Sequence, residues 1–349
     1  MPSQILHTIF GKNLIAGLQK RLEKDKVPPA QKTLENITCE HGKILALGCQ
    51  GADIFYHSQR QRPVAISYGS LLHRRDFGNF AAALLETALP YPPLAAYALG
   101  FASHAILDRH CHPYIIYKAG KKYHAFFERI IDVFMLKKLE LQEVQSWDQE
   151  GILGEVCENP PAGLKELLVE TMARAFPEKV NADPKLLRRI ENAFADAARF
   201  YRMSAPAKTT AKQTNALSTR ALMYVFPENL PGDIDFLNQQ KTPWRYPYLP
   251  PALDQAPKDD CRSFMEIYNE ALEAAINILA PCISEYFQSG KFPVTETAGK
   301  LGNTSLSIQD EHGKPCQSNL HGFLPLEEVL AQQAEMRGMK LHGAKLCEN

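Results

Sequence analysis

The sequence predicts an all-α fold, a bundle of many helices, and three observations carry that expectation. Long segments place apolar residues at three- and four-residue steps, and few show the two-residue alternation of a strand. Proline-rich breaks fall between those segments. Hydrophobic residues are 45% of the 349 and charged residues 22%, which suits a globular chain with a real core and excludes disorder, collagen and coiled coil.

Taken in order, helical periodicity runs over 80–89, 94–109 and 124–144, then 163–175, 184–201 and 262–288. The breaks are 90–93 (PYPP), Pro160-Pro161, Pro231-Gly232 and the proline-rich 243–257. Asp183 before Pro184 is a candidate N-cap with proline at the first helical position. Past Gly290 the chain turns polar. The expected division is therefore a helical domain over 1–290 and an irregular extension over 291–349, with one short helix near 326–338.

Lys plus Arg and Asp plus Glu are 39 each, so net charge is zero and a nucleic-acid coat is not expected. The N-terminus lacks a basic run followed by an uninterrupted apolar one, so no signal peptide is expected. No stretch of ~18 residues has the character of a bilayer-spanning helix. The eight cysteines are scattered without a CxxC pair, and free thiols are expected. A cytoplasmic location is the resulting expectation.

Spacing supplies the chemistry. In GFASHAILDRHCHPYI, His104 and Asp108 lie four residues apart, about 400° of helix, so both project from one face. His112 follows four residues later. Because it precedes Pro113 it is expected on the first non-helical residue, and His110 points away from that face. After a loop containing Gly120, HAFFERIID repeats the spacing with His124 and Glu128, and Asp132 takes the next step. One HxxxD or HxxxE pair on a helix is usually an exposed hydrogen-bonded pair. Here the first pair follows the apolar run 94–101, where a buried Asp108 is costly unless paired or coordinated. A core ion pair explains one such pair, but not two in tandem. Imidazole nitrogen and carboxylate oxygen are the donors that suit zinc.

These residues resemble the zinc-dependent phospholipase C family of bacteria. That family is related in fold to secreted phosphatidylcholine-cleaving phospholipases C and, more distantly, to single-strand-specific zinc nucleases of the S1/P1 type. MPSQILHTIFG is similar to its opening and supplies His7; LGCQGADIFYHSQ supplies Asp53; GSLLHRRDFGNF supplies His73. The two spaced motifs above are its most specific part. Trp244-Arg245-Tyr246-Pro247 and the helix after Ser263 resemble its C-terminal portion, so the likeness spans about residues 1–290.

The resemblance implies a phospholipase C/P1 nuclease-like bundle holding two to three zinc ions. One ion takes Asp53, His73, His104 and Asp108; a second takes His112, His124 and Glu128. A third takes His7 and a terminal group, with Asp108 as bridge. The implied activity is phosphodiester hydrolysis of a phospholipid or a soluble head-group, with Asp53 as proton acceptor, and with peripheral membrane contact. The chain departs from the secreted enzymes in a tighter Asp108-to-His112 spacing and in Pro2 lying only five residues before His7.

Around this set, His57 is a candidate phosphate contact. Phe55 and Tyr56, with Phe77, are candidate lining for an apolar or quaternary-ammonium group, with core packing as the alternative. Arg74 and Arg75 are candidates to steer an anionic phosphate. Cys111 reads as a small buried filler among nitrogen and oxygen donors. His312, His321 and His342 show no ligand spacing. Two alternatives stand beside the hydrolase: a zinc nuclease, disfavoured by the zero net charge, and a non-catalytic module with closed structural metals. The chain has neither a His-Asp dipeptide nor HExxH.

Overall fold

The computed structural model describes residues 4–57, 64–142, 144–206, 244–245 and 259–306, and these form an all-α body. Helix α1 (Gln4–Lys24) is buried on every side over residues 4–11, which explains why no amphipathic stripe announces it. Its start is capped from a distance. The Asp132 carboxylate accepts from the backbone N–H of Ile5 at 3.4 Å and of Leu6 at 2.8 Å. That satisfies donors a helix start leaves open and sets negative charge at the positive end of the dipole. Asp132 is thus a capping group and not a further step of the His124–Glu128 series.

Helix α2 (Pro28–Glu40) opens on proline and is followed closely by α3 (Gly42–Gly48). A 3₁₀ turn over Gly51–His57 leads toward α4 (Val64–Arg74) and α5 (Phe77–Ala88). The central element is α6 (Pro92–Lys138), which packs against α1, α3 and α5. Its first half carries the core. Tyr97 and Phe101 are buried, and Phe101 stacks on Phe77 at 5.5 Å between centroids. Phe77 is accordingly a core residue.

Two expectations about α6 need correction. The helix continues through Pro113 instead of ending before it. Proline inside a helix costs about 3 kcal/mol. Burial of Cys111, Tyr114 and Ile115 around it offsets that cost, at roughly 1.5–3 kcal/mol for each large apolar side chain. The expected loop is also absent. Gly120 alone, at φ 65° and ψ 172°, breaks the helix and re-aims its second half, a conformation glycine adopts without a Cβ penalty.

Beyond α6 come α7 (Glu155–Glu158), α8 (Leu164–Ala175), α9 (Pro177–Asn181) and α10 (Leu186–Met203). Asp183 is not the N-cap expected: α10 begins at Leu186, two residues later than Pro184, with Lys185 at the N-cap position, and Asp183 accepts from the Lys185 N–H at 3.2 Å. Helix α11 (Phe264–Ser289) begins with a Ser263–Glu266 capping box and ends on Gly290. Among the described residues the strand pairing is limited to Trp244–Arg245 against Asp259–Asp260, antiparallel.

The boundary expected at 290 does not mark the end of packing. Helix α12 (Val294–Leu301) lies against α5, and the segment after it reaches α4 and α6. The helix expected near 326–338, and His312, His321 and His342, fall outside the described residues, as do Pro231-Gly232 and most of 243–257. Among the described residues no helix is long and apolar enough to cross a membrane.

Candidate metal centre

Five separate stretches deliver side chains to one buried cluster. His7 comes from the first turn of α1, Asp53 from the 3₁₀ turn, and His73 from the last turn of α4. His104, Asp108 and His112 come from α6 before Gly120, and His124 and Glu128 from α6 after it. The bend at Gly120 turns the second half back on the first. His112 Nε2 then lies 3.5 Å from Glu128 Oε1, and the His112 and His124 rings are 6.2 Å apart. Gly51 permits the approach of the 3₁₀ turn. At φ 53°, a Cβ there would sit 2.3 Å from the His104 ring.

Asp108 is the hub. Its carboxylate lies 3.1 Å from His7 Nε2, 3.4 Å from His104 Nε2, 3.8 Å from His73 Nε2 and 4.0 Å from His112 Nδ1. Asp53 approaches His73 Nε2 at 3.2 Å and His104 Nε2 at 4.0 Å. Two groups bring their donor atoms within 4.8 Å of one another: His7, His104 and Asp108, and Asp53, His73 and His104. All of these side chains are buried, as is Glu128, while His112 is slightly more open and His124 is half-buried.

Outer hydrogen bonds fix which nitrogen faces inward. His73 Nδ1 lies 2.7 Å from the Gly69 carbonyl, and His104 Nδ1 lies 3.2 Å from the Cys49 carbonyl. His112 Nδ1 lies 3.1 Å from the Leu306 carbonyl. A carbonyl only accepts, so Nδ1 donates and each neutral ring presents the Nε2 lone pair to the centre. His110 turns away, with Nδ1 donating to the Ile106 carbonyl at 2.7 Å.

Burial and charge oppose each other here. Burial alone raises the pKa of Asp108, but His104, His112 and His7 hold it far below the usual carboxylate range. Asp53 is likewise lowered, by His73 and His104 against its burial. Burial pushes His104 down to about 4, whereas for His112 the Asp108 and Glu128 carboxylates outweigh burial and lift it to about 9. A divalent cation at the centre would have to displace the proton that the carboxylates favour on His112, and metal binding there is therefore coupled to proton release.

A short strap fastens the cluster from outside. Leu306 N–H and the Ser305 hydroxyl both donate to the His73 carbonyl, at 2.8 and 3.1 Å. Arg109, one residue past Asp108, donates to the carbonyls of Leu301, Gly302 and Thr304. Sequence reasoning missed this strap because the polar composition after 290 carries no periodic signal; its contacts are mostly to backbone carbonyls, which every sequence has.

A family model described as zinc dependent phospholipase C matches residues 6–216, more than half of the chain. The chain belongs to that family. No curated protein and no solved structure gives a match. The matched stretch of this zinc-dependent phospholipase C family member contains every clustered histidine and carboxylate but stops short of the strap.

The donor set fits the zinc of the family name. Asp53 Oδ2, His104 Nε2, Asp108 Oδ2 and Glu128 Oε2 are buried with no hydrogen-bond partner. Such orphaned atoms are costly unless something else satisfies them, and a cation does so.

The expected substrate contacts fare unevenly. His57 is buried, stacked on Phe200 at 3.8 Å between centroids and edge-on to Tyr201, and burial lowers its pKa to about 3. Phe55 is buried with its ring 6.3 Å from that of Tyr68. Both are corrected to packing residues, since an apolar or stacked ring gains more from burial than from solvent. Tyr56 is half-buried with its ring 5.2 Å from that of His73. Cys111 is buried and its thiol is pushed up by burial, as suits a filler.

Proposed function

We propose that this protein is a metal-dependent hydrolase of phosphodiester bonds, of phospholipase C type, built on two to three zinc ions. The single observation that carries the reading is Asp108, one buried carboxylate within 4.0 Å of four imidazole rings from three helices. One Nε2 lone pair serves one cation, whereas a carboxylate has two oxygens and can join two. Asp53, His73, His104 and Asp108 would hold one ion, His7 together with Asp108 a second, and His112, His124 and Glu128 a third.

When bound, the divalent cations offset the charge of phosphate oxygens and lower the pKa of a coordinated water. The chain's own residues do the rest. Asp53 accepts the proton, with its Oδ1 held 3.2 Å from His73 Nε2. The outer carbonyls of Gly69, Cys49 and Leu306 keep the three imidazoles aimed inward. Tyr56 stands at the edge of His73 as a substrate-facing ring. The substrate class is a phospholipid or soluble head-group phosphodiester, reached by peripheral contact with a membrane surface.

Protein purified from zinc-replete expression should contain about two to three divalent ions per chain and release phosphocholine-type products from soluble phosphodiesters. Metal content near zero removes the reading. Full metal content without turnover of any phosphodiester would leave a closed structural site and remove the hydrolytic part.

A further inference from the structure

We infer that the cleft between α4, α9 and α10 is a second, metal-independent site that holds a ligand bearing a phosphate monoester. The cleft has a volume of about 570 Å³, within the range of small-molecule sites. A bare phosphate leaves most of that space over, so the fitting occupant is a phosphate on a polar head-group.

Charge selects the ligand class. Arg74, Arg75, Lys179 and Arg189 line the cleft against a single carboxylate, Asp183, a formal excess of three positive charges. Asp183 is already committed. It accepts from the Tyr68 hydroxyl and from Arg189 Nε, each at 2.7 Å, and from the Lys185 N–H. Its charge therefore fixes Arg189 and Tyr68 in the wall and does not neutralise the others. Arg74, Arg75 and Lys179 make no ion pair or side-chain hydrogen bond among the described residues. By contrast, Arg174 and Arg202 each find a carboxylate. Three uncommitted cations converging on one concavity, two of them guanidinium forks, match the oxygens of a phosphate dianion.

The cleft adjoins the metal centre without sharing its ligands. His73 and Arg74 are consecutive in the last turn of α4, and the Tyr56 ring lies beside His73. Because no proposed metal ligand lines it, the site stands or fails apart from the hydrolytic reading.

The test titrates zinc-loaded full-length protein with glycerol 3-phosphate and with inorganic phosphate by calorimetry. It also measures sedimentation with phosphatidylcholine vesicles, with and without a minor fraction of phosphatidic acid. Arg74→Gln combined with Lys179→Gln should weaken phosphate-ester binding about tenfold or more. Asp108→Asn, which disrupts the metal centre, should leave this binding event in place. Lys179→Gln alone, an exchange of an exposed side chain, should weaken it about threefold and keeps the test decisive if the double exchange perturbs α4. Loss of vesicle binding only, with glycerol 3-phosphate never bound, would support the site with a lipid as its source. Weakening of both would support a soluble ester as well. Equal affinity in wild type and both charge variants, or disappearance of binding with the metal in Asp108→Asn, would overturn the proposal.

Discussion

Replacing Asp108 with asparagine removes one negative charge and one anionic oxygen while keeping the volume and a carbonyl donor. The consequence can be sized from the geometry. At an effective dielectric of about 20, a unit negative charge about 4 Å from a unit positive charge is worth roughly 4 kcal/mol. That is about three decades in a binding constant. If Asp108 joins two ions, both should weaken on this scale, because His7 lies 3.1 Å from Oδ1 while His104 lies 3.4 Å from Oδ2. The remaining ion, held by His112, His124 and Glu128, should be least affected. The assay is metal content after gel filtration, with chelator competition to give the affinity of each class. Circular dichroism confirms that the helices persist. Loss of a single ion would refute the bridging role, and unchanged metal content would refute Asp108 as a ligand at all.

Three further outcomes are expected. Arg109→Met keeps the aliphatic stem but removes the bonds to the carbonyls of Leu301, Gly302 and Thr304. It should lower stability in urea by about 2–4 kcal/mol and zinc affinity by about tenfold or more, since the strap that orients His112 is released; a stability loss with intact affinity would show the strap to be structural only. Gly51→Ala places a Cβ 2.3 Å from the His104 ring at φ 53°, and should cost about 2–4 kcal/mol with loss of metal, read by thermal melting and metal content. His57 is held near 3 in the folded chain against 6.5 when exposed. The unfolded state therefore takes up the proton first, so stability is intact above about pH 6.5 and falls by about 1.4 kcal/mol per unit below it. His57→Phe should remove that slope, leaving wild type about 2 kcal/mol more sensitive than the variant between pH 7 and 5 in denaturant titrations; parallel pH profiles would contradict the buried neutral ring.

Much of the site was legible because helix geometry converts sequence spacing into shared faces. His104 with Asp108, and His124 with Glu128, were paired by a four-residue step alone. His7, Asp53 and His73 lie on three other elements with no periodic relation to that step. Only the family likeness pointed to them. Tyr56 and His57 are neighbours on a 3₁₀ turn, where side-chain direction changes sharply from one residue to the next. One faces His73 and the other stacks on Phe200. Asp132 continued the four-residue series, but the start of α1 reached it first.

The sequence by itself determined the helical class, the donor types and the two paired helix faces, because these follow from periodicity and side-chain chemistry within a few residues. Tertiary structure alone decided that α6 runs through Pro113 and bends at Gly120, that Asp108 is the hub, and that residues 301–306 brace the cluster. The physical reason is range. A local preference of a few kcal/mol is set by near neighbours, but burial, backbone carbonyls and charges supplied from more than a hundred residues away outweigh it.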